Sequence, residues 1–243
     1  MESFCGKLTL FGALVAVLAF CQMADASLTF TSGTTLGALS GAHYANFDNL
    51  NSSGLGNGGM TIAFNPNATA ITGSASGFYA APYVTDSLNN NHFENTPNSP
   101  SAGPDSTQYI TTGSDGAVAG AAVTLNFTST ENYFGILWGS VDAYNTLTFS
   151  GGASGVVTLT GAQVIAQEGD LQAGGQSAGG TTYVNITGIS FDKVVATSSQ
   201  YAFEFDNVAY GAVPEASTLF AGALMLLPLG VSAMRIMRKS RMV

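Results

Sequence analysis

The chain has 243 residues, 46% of them hydrophobic and only 9% charged, with 30 Gly and 7 Pro, a profile that fits neither a disordered polyelectrolyte nor a helical bundle. Six Lys and Arg stand against 15 Asp and Glu, and between Lys7 and Arg235 the only cation is Lys193. An interior with a single cation cannot neutralise a row of phosphates, which excludes nucleic acid and anionic lipid as partners of that interior.

Residues 1–26 follow the order of a secretory signal: Lys7, the apolar stretch Leu8 to Phe20, then the small-x-small triplet Ala24-Asp25-Ala26, with cleavage expected after Ala26. The 13 residues from Leu8 to Phe20 are too few for an uncleaved anchor, since the hydrocarbon core is roughly 30 Å thick and a helix rises about 1.5 Å per residue. Bulky Phe20, where a lipoprotein signal carries a small residue, disfavours acylation of Cys21. Both cysteines, Cys5 and Cys21, fall inside this segment, so the body over 27–212 holds no thiol and no disulfide. An exported body of that kind must be stabilised by an apolar core or a bound ion, and it has no thiolate metal site or cysteine nucleophile.

Short alternating or apolar runs recur along the body, separated by Gly, Asn, Ser and Thr, and no run of ten or more residues has helical spacing. The expected strands are Leu28 to Thr31, Met60 to Phe64, Gly77 to Val84, Gln108 to Thr112, Ala121 to Phe127, Tyr133 to Trp138, Asn145 to Phe149, Val156 to Thr160, Gln163 to Gln167, Thr182 to Ile186, Ile189 to Ala196 and Tyr201 to Tyr210. Short strands without interleaved helices favour an all-β fold, a β-sandwich or jelly roll, over any α/β architecture. Leu88 to Pro104, with Asn89-Asn90-Asn91 and three prolines, reads as a long surface loop, a tolerated insertion before a binding loop. No internal repeat of fixed period is present.

The run from Asn132 to Phe149 holds the only tryptophan and reads as a hairpin connected through Gly139 to Tyr144. Two roles compete for it. Trp138 and Tyr144 could stack on a sugar ring while Asp142 and Asn145 bond its hydroxyls. In the favoured structural reading, Trp138 fills the core and Asp142 caps a tight turn. Further on, Tyr201, Phe203 and Phe205 alternate with Ala202, Glu204 and Asp206, which puts the aromatics on one face, expected to be core, and both carboxylates on the other.

Paired carboxylates are what glycoside hydrolysis requires, and Glu204 with Asp206, or Glu168 with Asp170, would lie about 6 to 7 Å apart along a strand. Such spacing is common in so acidic a body. No H-E-x-x-H helix or P-loop occurs, and His43 and His92 have no sequence partner that suggests a metal site or a triad. The expectation is therefore no enzyme and no catalytic residue.

At the carboxyl end, Val213-Pro214-Glu215-Ala216-Ser217-Thr218 precedes an uncharged apolar stretch from Leu219 to Met234, and four cations follow among Arg235 to Arg241. Extended to Met237 around a snorkelling Arg235, the stretch approaches the length of a membrane helix, and its basic tail would stay cytoplasmic with the body outside.

Motif, apolar helix and Arg-rich tail together resemble the PEP-CTERM sorting signal of Gram-negative bacteria that make extracellular polysaccharide, with Ala216 where that family usually has a second proline. The resemblance implies an exported protein held briefly in the inner membrane and cut near Val213, Pro214, Glu215, Ala216 and Ser217 by an exosortase, then carried to the surface or matrix. The Asn132 to Phe149 run is similar to a segment in exosortase-dependent surface proteins of cyanobacteria and related bacteria. The ending Phe205-Asp206-Asn207-Val208 resembles the closing strand of many PEP-CTERM and carbohydrate-binding jelly rolls, where an Asp-Asn pair can lie near a bound calcium ion. That implies Glu204 and Asp206 as candidate ligands of a structural calcium, with Glu168, Asp170 and Asp48 as further carboxylates; no other cofactor is expected. The expected function is a surface or matrix protein acting by contact with extracellular polysaccharide or neighbouring surface proteins. Its rivals are a dedicated carbohydrate-binding module and a glycoside hydrolase.

Overall fold

A computed structural model of the chain describes residues 27–33, 38–48, 50, 59–84, 103–113 and 120–212. The signal segment, most of the Leu88 to Pro104 run, His92 and the whole sorting region lie outside these residues. Among the described residues no helix is long and apolar enough to cross a membrane.

The described residues are mostly strand. In chain order these are β1 (Thr29–Gly33), β2 (His43–Ala45), β3 (Met60–Phe64), β4 (Thr69–Ile71), β5 (Tyr83–Val84), β6 (Gly103–Pro104), β7 (Tyr109–Thr111), β8 (Ala122–Glu131), β9 (Tyr133–Gly139), β10 (Asn145–Gly151) and β11 (Val157–Thr160). A short helix, α1 (Gly161–Glu168), precedes β12 (Thr182–Thr187), β13 (Phe191–Ser198) and β14 (Glu204–Gly211). A seven-stranded sheet runs β1-β12-β9-β14-β7-β4, with β2 also on β14, and a five-stranded sheet runs β11-β10-β13-β8-β3. Strands β5 and β6 pair separately. Every pairing is antiparallel.

The two large sheets share one apolar core. Alternation along β9 sends Phe134, Ile136 and Trp138 inward, β10 sends Leu147 and Phe149, and β14 sends Phe205, Val208 and Tyr210. Phe134 meets Phe149 edge-on at 5.6 Å and Phe127 lies 4.9 Å from Tyr210, both across the sheets.

Several expected elements take a different form. The Asn132 to Phe149 run is not a hairpin: β9 pairs with β12 and β14, whereas β10 pairs with β11 and β13. The connection is an arch between sheets. Both strands carry large apolar side chains at alternate positions, and those rings bury more surface facing each other across the core than side by side in one sheet. Ser140, at φ 44°, turns the chain out of β9.

Gln163 to Gln167 is helix, not strand. Thr160 Oγ accepts from Gln163 N at 3.3 Å while Gln163 Oε1 accepts from Thr160 N at 2.9 Å, and Gly169 closes the helix at φ 74° with its N–H on Ile165 O at 3.0 Å. This capping box and glycine stop satisfy end groups that eight residues of weak periodicity would otherwise leave open. Gly77 to Val84 is strand only at Tyr83–Val84; before it the chain turns at Gly77, φ 79°, with Ala75 bridged to Tyr79. The presumed loop ends in strand β6, and the three-residue strands β2 and β4 carry too little pattern to be read from sequence.

The outer face of the seven-stranded sheet is also buried. Tyr133, Leu137, Tyr183, Glu204 and Asp206 lie there, each 3% exposed or less. Their cover comes from sequence-distant segments: Leu39 N donates to Tyr133 Oη at 3.0 Å, Ala80 N to Glu204 Oε1 at 2.9 Å, and Tyr83 N to Thr181 Oγ at 3.0 Å. Gly135 has no room for a side chain, since a Cβ would run into the hydroxyls of Tyr133 and Tyr183. Burial raises both phenols, Tyr133 to about 12.

Gly161 lies against the β9–β10 arch, where a Cβ would overlap the carbonyl oxygen of Asp142. Gly161→Ala is expected to cost roughly 1 to 3 kcal/mol, because the obstruction is backbone and cannot rotate away. Urea unfolding checks this; a loss under about 0.5 kcal/mol, ordinary for a surface change, would mean the arch does not rest on the helix.

Candidate functional site

The arch between β9 and β10 is held by backbone contacts on both sides: Val141 N donates to Gly180 O and Gly174 N to Val141 O, each at 2.9 Å, and Asn145 N closes a turn onto Asp142 O at 3.1 Å. That turn presents Asp142 and Tyr144. The 77–80 turn lies beside it, anchored through Ala80 on Glu204 at the start of β14, and Tyr201 and Ala202 lead into the same strand. Together these segments enclose a cleft of about 300 Å³ whose lining includes Phe78, Tyr79, Asp142, Tyr144, Tyr201 and Glu204.

Two aromatic rings form its rim. Phe78 is 43% and Tyr201 48% exposed, and they meet edge-to-face at 6.0 Å and 89°. Carboxyl groups and phenols form its wall. Tyr144 Oη lies 2.7 Å from Asp142 Oδ2 and 2.6 Å from the Tyr201 carbonyl oxygen, so a single phenolic proton faces two acceptors. Burial pushes Asp142 upward, although the hydrogen bond it accepts from Tyr144 partly offsets this. Tyr144 is raised as well, by burial and by Asp142. Glu204 is pushed up to about 8, chiefly by burial and partly by Asp142, against the lowering effect of the Ala80 amide. The wall thus offers phenol and carboxyl donors and acceptors framed by two rings.

The residues anticipated for glycan contact divide. Asp142 and Tyr144 line the cleft. Trp138 does not: it is fully buried, stacked on Phe203 at 4.4 Å and 20°, which bars it from touching a sugar and gives it the core role. Asn145 is equally buried and takes the Ser198 hydroxyl on Oδ1 at 3.1 Å. Tyr201, assigned with Phe203 and Phe205 to a core face, precedes the strand and stands on the rim. Phe78 and Tyr79 were missed, although Gly77 was a legible turn signal just before them.

Glu204 and Asp206 share the outer face as alternation predicts, but they have different neighbours. Glu204 is engaged by Ala80 and Asp142, whereas Asp206 faces Asp105 and Asp48. Glu168 accepts from the Thr182 hydroxyl beyond α1, and Asp170 is exposed. His43 is exposed on β2 beside Tyr210, ring centroids 5.5 Å apart. Ala24, Ala26 and residues 213–217 lie outside the described residues. Compared with known proteins, the chain matches no family model and no curated protein.

Proposed function

We propose that this chain is an exported surface or matrix protein, a jelly-roll-like β-sandwich carried between a signal peptide and a PEP-CTERM-like membrane tail. Its partners are an exosortase, as substrate; the inner membrane, transiently; and extracellular polysaccharide, bound by contact without catalysis. The observation that carries the binding reading is the cleft: exposed Phe78 and Tyr201 rings stand over the hydroxyl and carboxyl groups of Tyr144, Asp142 and Glu204. Aromatic faces suit the C–H faces of a sugar, and the polar wall suits its hydroxyls.

With the intact chain, affinity for purified matrix polysaccharide is expected to fall roughly three- to tenfold for Tyr201→Ala, the equivalent of about 0.5 to 1.5 kcal/mol for one stacking ring, with melting temperature nearly unchanged. Unaltered affinity in Tyr201→Ala and Phe78→Ala alike would remove the cleft from the account. A hydrolase is the second reading, favoured by Glu204 lying raised to about 8 in a cleft beside Asp142. It predicts glycan turnover that disappears in Glu204→Gln. Binding by contact predicts no turnover to lose.

A further inference from the structure

The cleft between the β9–β10 arch and the 77–80 turn is one-sided in its chemistry. No basic side chain lines it, and apart from the exposed amide of Gln176 its polar side chains are all oxygen groups: the Asp142 and Glu204 carboxyls, the Ser140 hydroxyl and phenols. Asp142 takes the Tyr144 hydroxyl on Oδ2 at 2.7 Å and Glu204 takes the Ala80 amide on Oε1 at 2.9 Å, which fixes where each carboxyl stands. Gly174 makes room for the first, since a Cβ there would come within 2.8 Å of Asp142 Oδ1. Lys193, the one cation of the body, is on β13 of the other sheet and cannot serve either acid.

Ser140 marks the same cleft independently. It follows Gly139, which pairs with Glu204 across β9 and β14, and it is among the lining residues. It is 6% exposed, its hydroxyl has no hydrogen-bond partner, and its backbone is held at φ 44°, in the left-handed region that favours glycine. A stranded buried hydroxyl on a strained backbone is unfavourable twice over, and such residues concentrate where a ligand is held.

Building on the reading of this cleft as the glycan site, we propose that it takes a sugar bearing a free amino group, the ammonium set against the Asp142 and Glu204 carboxyls and the rings of Phe78 and Tyr201. An ammonium brings donors and no acceptor, the complement of an oxygen-lined wall that includes the unpartnered Ser140 hydroxyl. It also brings the positive charge that the cleft lacks, and exposed aromatic faces attract cations. A uronate or other acidic sugar meets the same two carboxyls with no counter-charge and is disfavoured by them. Burial holds Glu204 at about 8 while no cation faces it; a bound ammonium lowers it and turns a hydrogen-bonding acid into a counter-ion.

Titration calorimetry of the intact chain at about pH 6.5, where an amine is largely protonated, tests this with three tetrasaccharides: β-1,4-linked glucosamine, its N-acetylated counterpart and galacturonate. The glucosamine tetramer is expected to bind at least about tenfold more tightly than the N-acetylated one, and galacturonate most weakly. In Asp142→Asn and in Glu204→Gln that preference should fall at least about threefold, whereas Asp170→Asn, which removes an exposed acid outside the cleft, should leave it in place. Equal binding of the amino and N-acetyl tetramers, or a preference that survives both cleft substitutions, would overturn the proposal. So would a preference lost equally in Asp170→Asn, because net negative charge would then be attracting the cation from a distance. A chain that holds the N-acetylated tetramer through Tyr201 without preferring the amine keeps the cleft and loses this inference. One that binds none of the three loses it too, and the matrix polysaccharide titration with Tyr201→Ala then judges the cleft by itself.

Discussion

Stability is expected to fall as pH rises from about 4.5 to about 8, and Glu204→Gln is expected to make that fall shallower by an amount set by the Glu204 shift. Glu204 is 3% exposed and its carboxyl is raised from 4.5 to about 8 in the folded chain. Between those values the native state keeps a proton that the unfolded state has released, so folding is favoured at the acid end and loses that advantage as pH climbs through the folded value. A shift of this size corresponds to roughly 4 to 5 kcal/mol, a large part of the total stability of an ordinary domain. Asp142 and Asp206, also raised by burial, act with the same sign, so part of the slope remains in the variant.

The groups facing Glu204 are the Ala80 amide, Asp142 and the Tyr109 and Tyr144 phenols, none of which supplies a positive charge. Glutamine keeps an oxygen for Ala80 and has no charge to desolvate, so at pH 8.5 the variant should be the more stable protein. Urea titrations at pH 5, 7 and 8.5 decide it. A parent chain that gains stability over this range would show that Glu204 is ionised and paired in the folded state.

Trp138→Ala is expected to cost roughly 3 to 5 kcal/mol, enough to leave much of the chain unfolded at 37 °C. The indole is fully buried and stacked on Phe203, and no disulfide in the body holds the fold once the core is opened. One factor offsets this. Trp138 Nε1 is buried without a hydrogen-bond partner, a defect costing about 1 to 3 kcal/mol that any apolar replacement removes. Trp138→Phe should therefore lose far less than Trp138→Ala, because it keeps a ring against Phe203 and discards the stranded donor. Denaturant midpoints for both variants check the ordering, and equal losses would assign the cost to the nitrogen and not to the volume.

These expectations join the core to the cleft. Trp138 ends the inward row of β9, and the next residues form the arch that presents Asp142 and Tyr144. Phe203, the partner of Trp138, stands next to Glu204, so loosening the stack should disturb both walls of the cleft together. Tyr144 also reaches across to the Tyr201 carbonyl, which links the arch to the rim.

Period-two alternation, dense turn residues and the absence of any ten-residue helical run determined from sequence that this body is β and which side chains of β8 to β10 and β12 to β14 turn inward, since that pattern is local. The lone cation was legible too, and with it the fact that any acid buried here would find no basic partner. Helix α1 was legible in principle through Thr160, Gln163 and Gly169, although its weak apolar spacing outweighed them.

Only the tertiary structure decided which strands share a sheet. Local alternation looks the same whether a strand pairs with its sequence neighbour or crosses the core, and the β9–β10 arch turned on that difference. Alternation likewise put Glu204 and Asp206 on one outer face, but it could not say that this face is dry. That depended on cover from Leu39, Ala80, Tyr83 and Asp105, residues roughly 100 positions or more from β14, and burial under distant chain is a property that no short window of sequence contains.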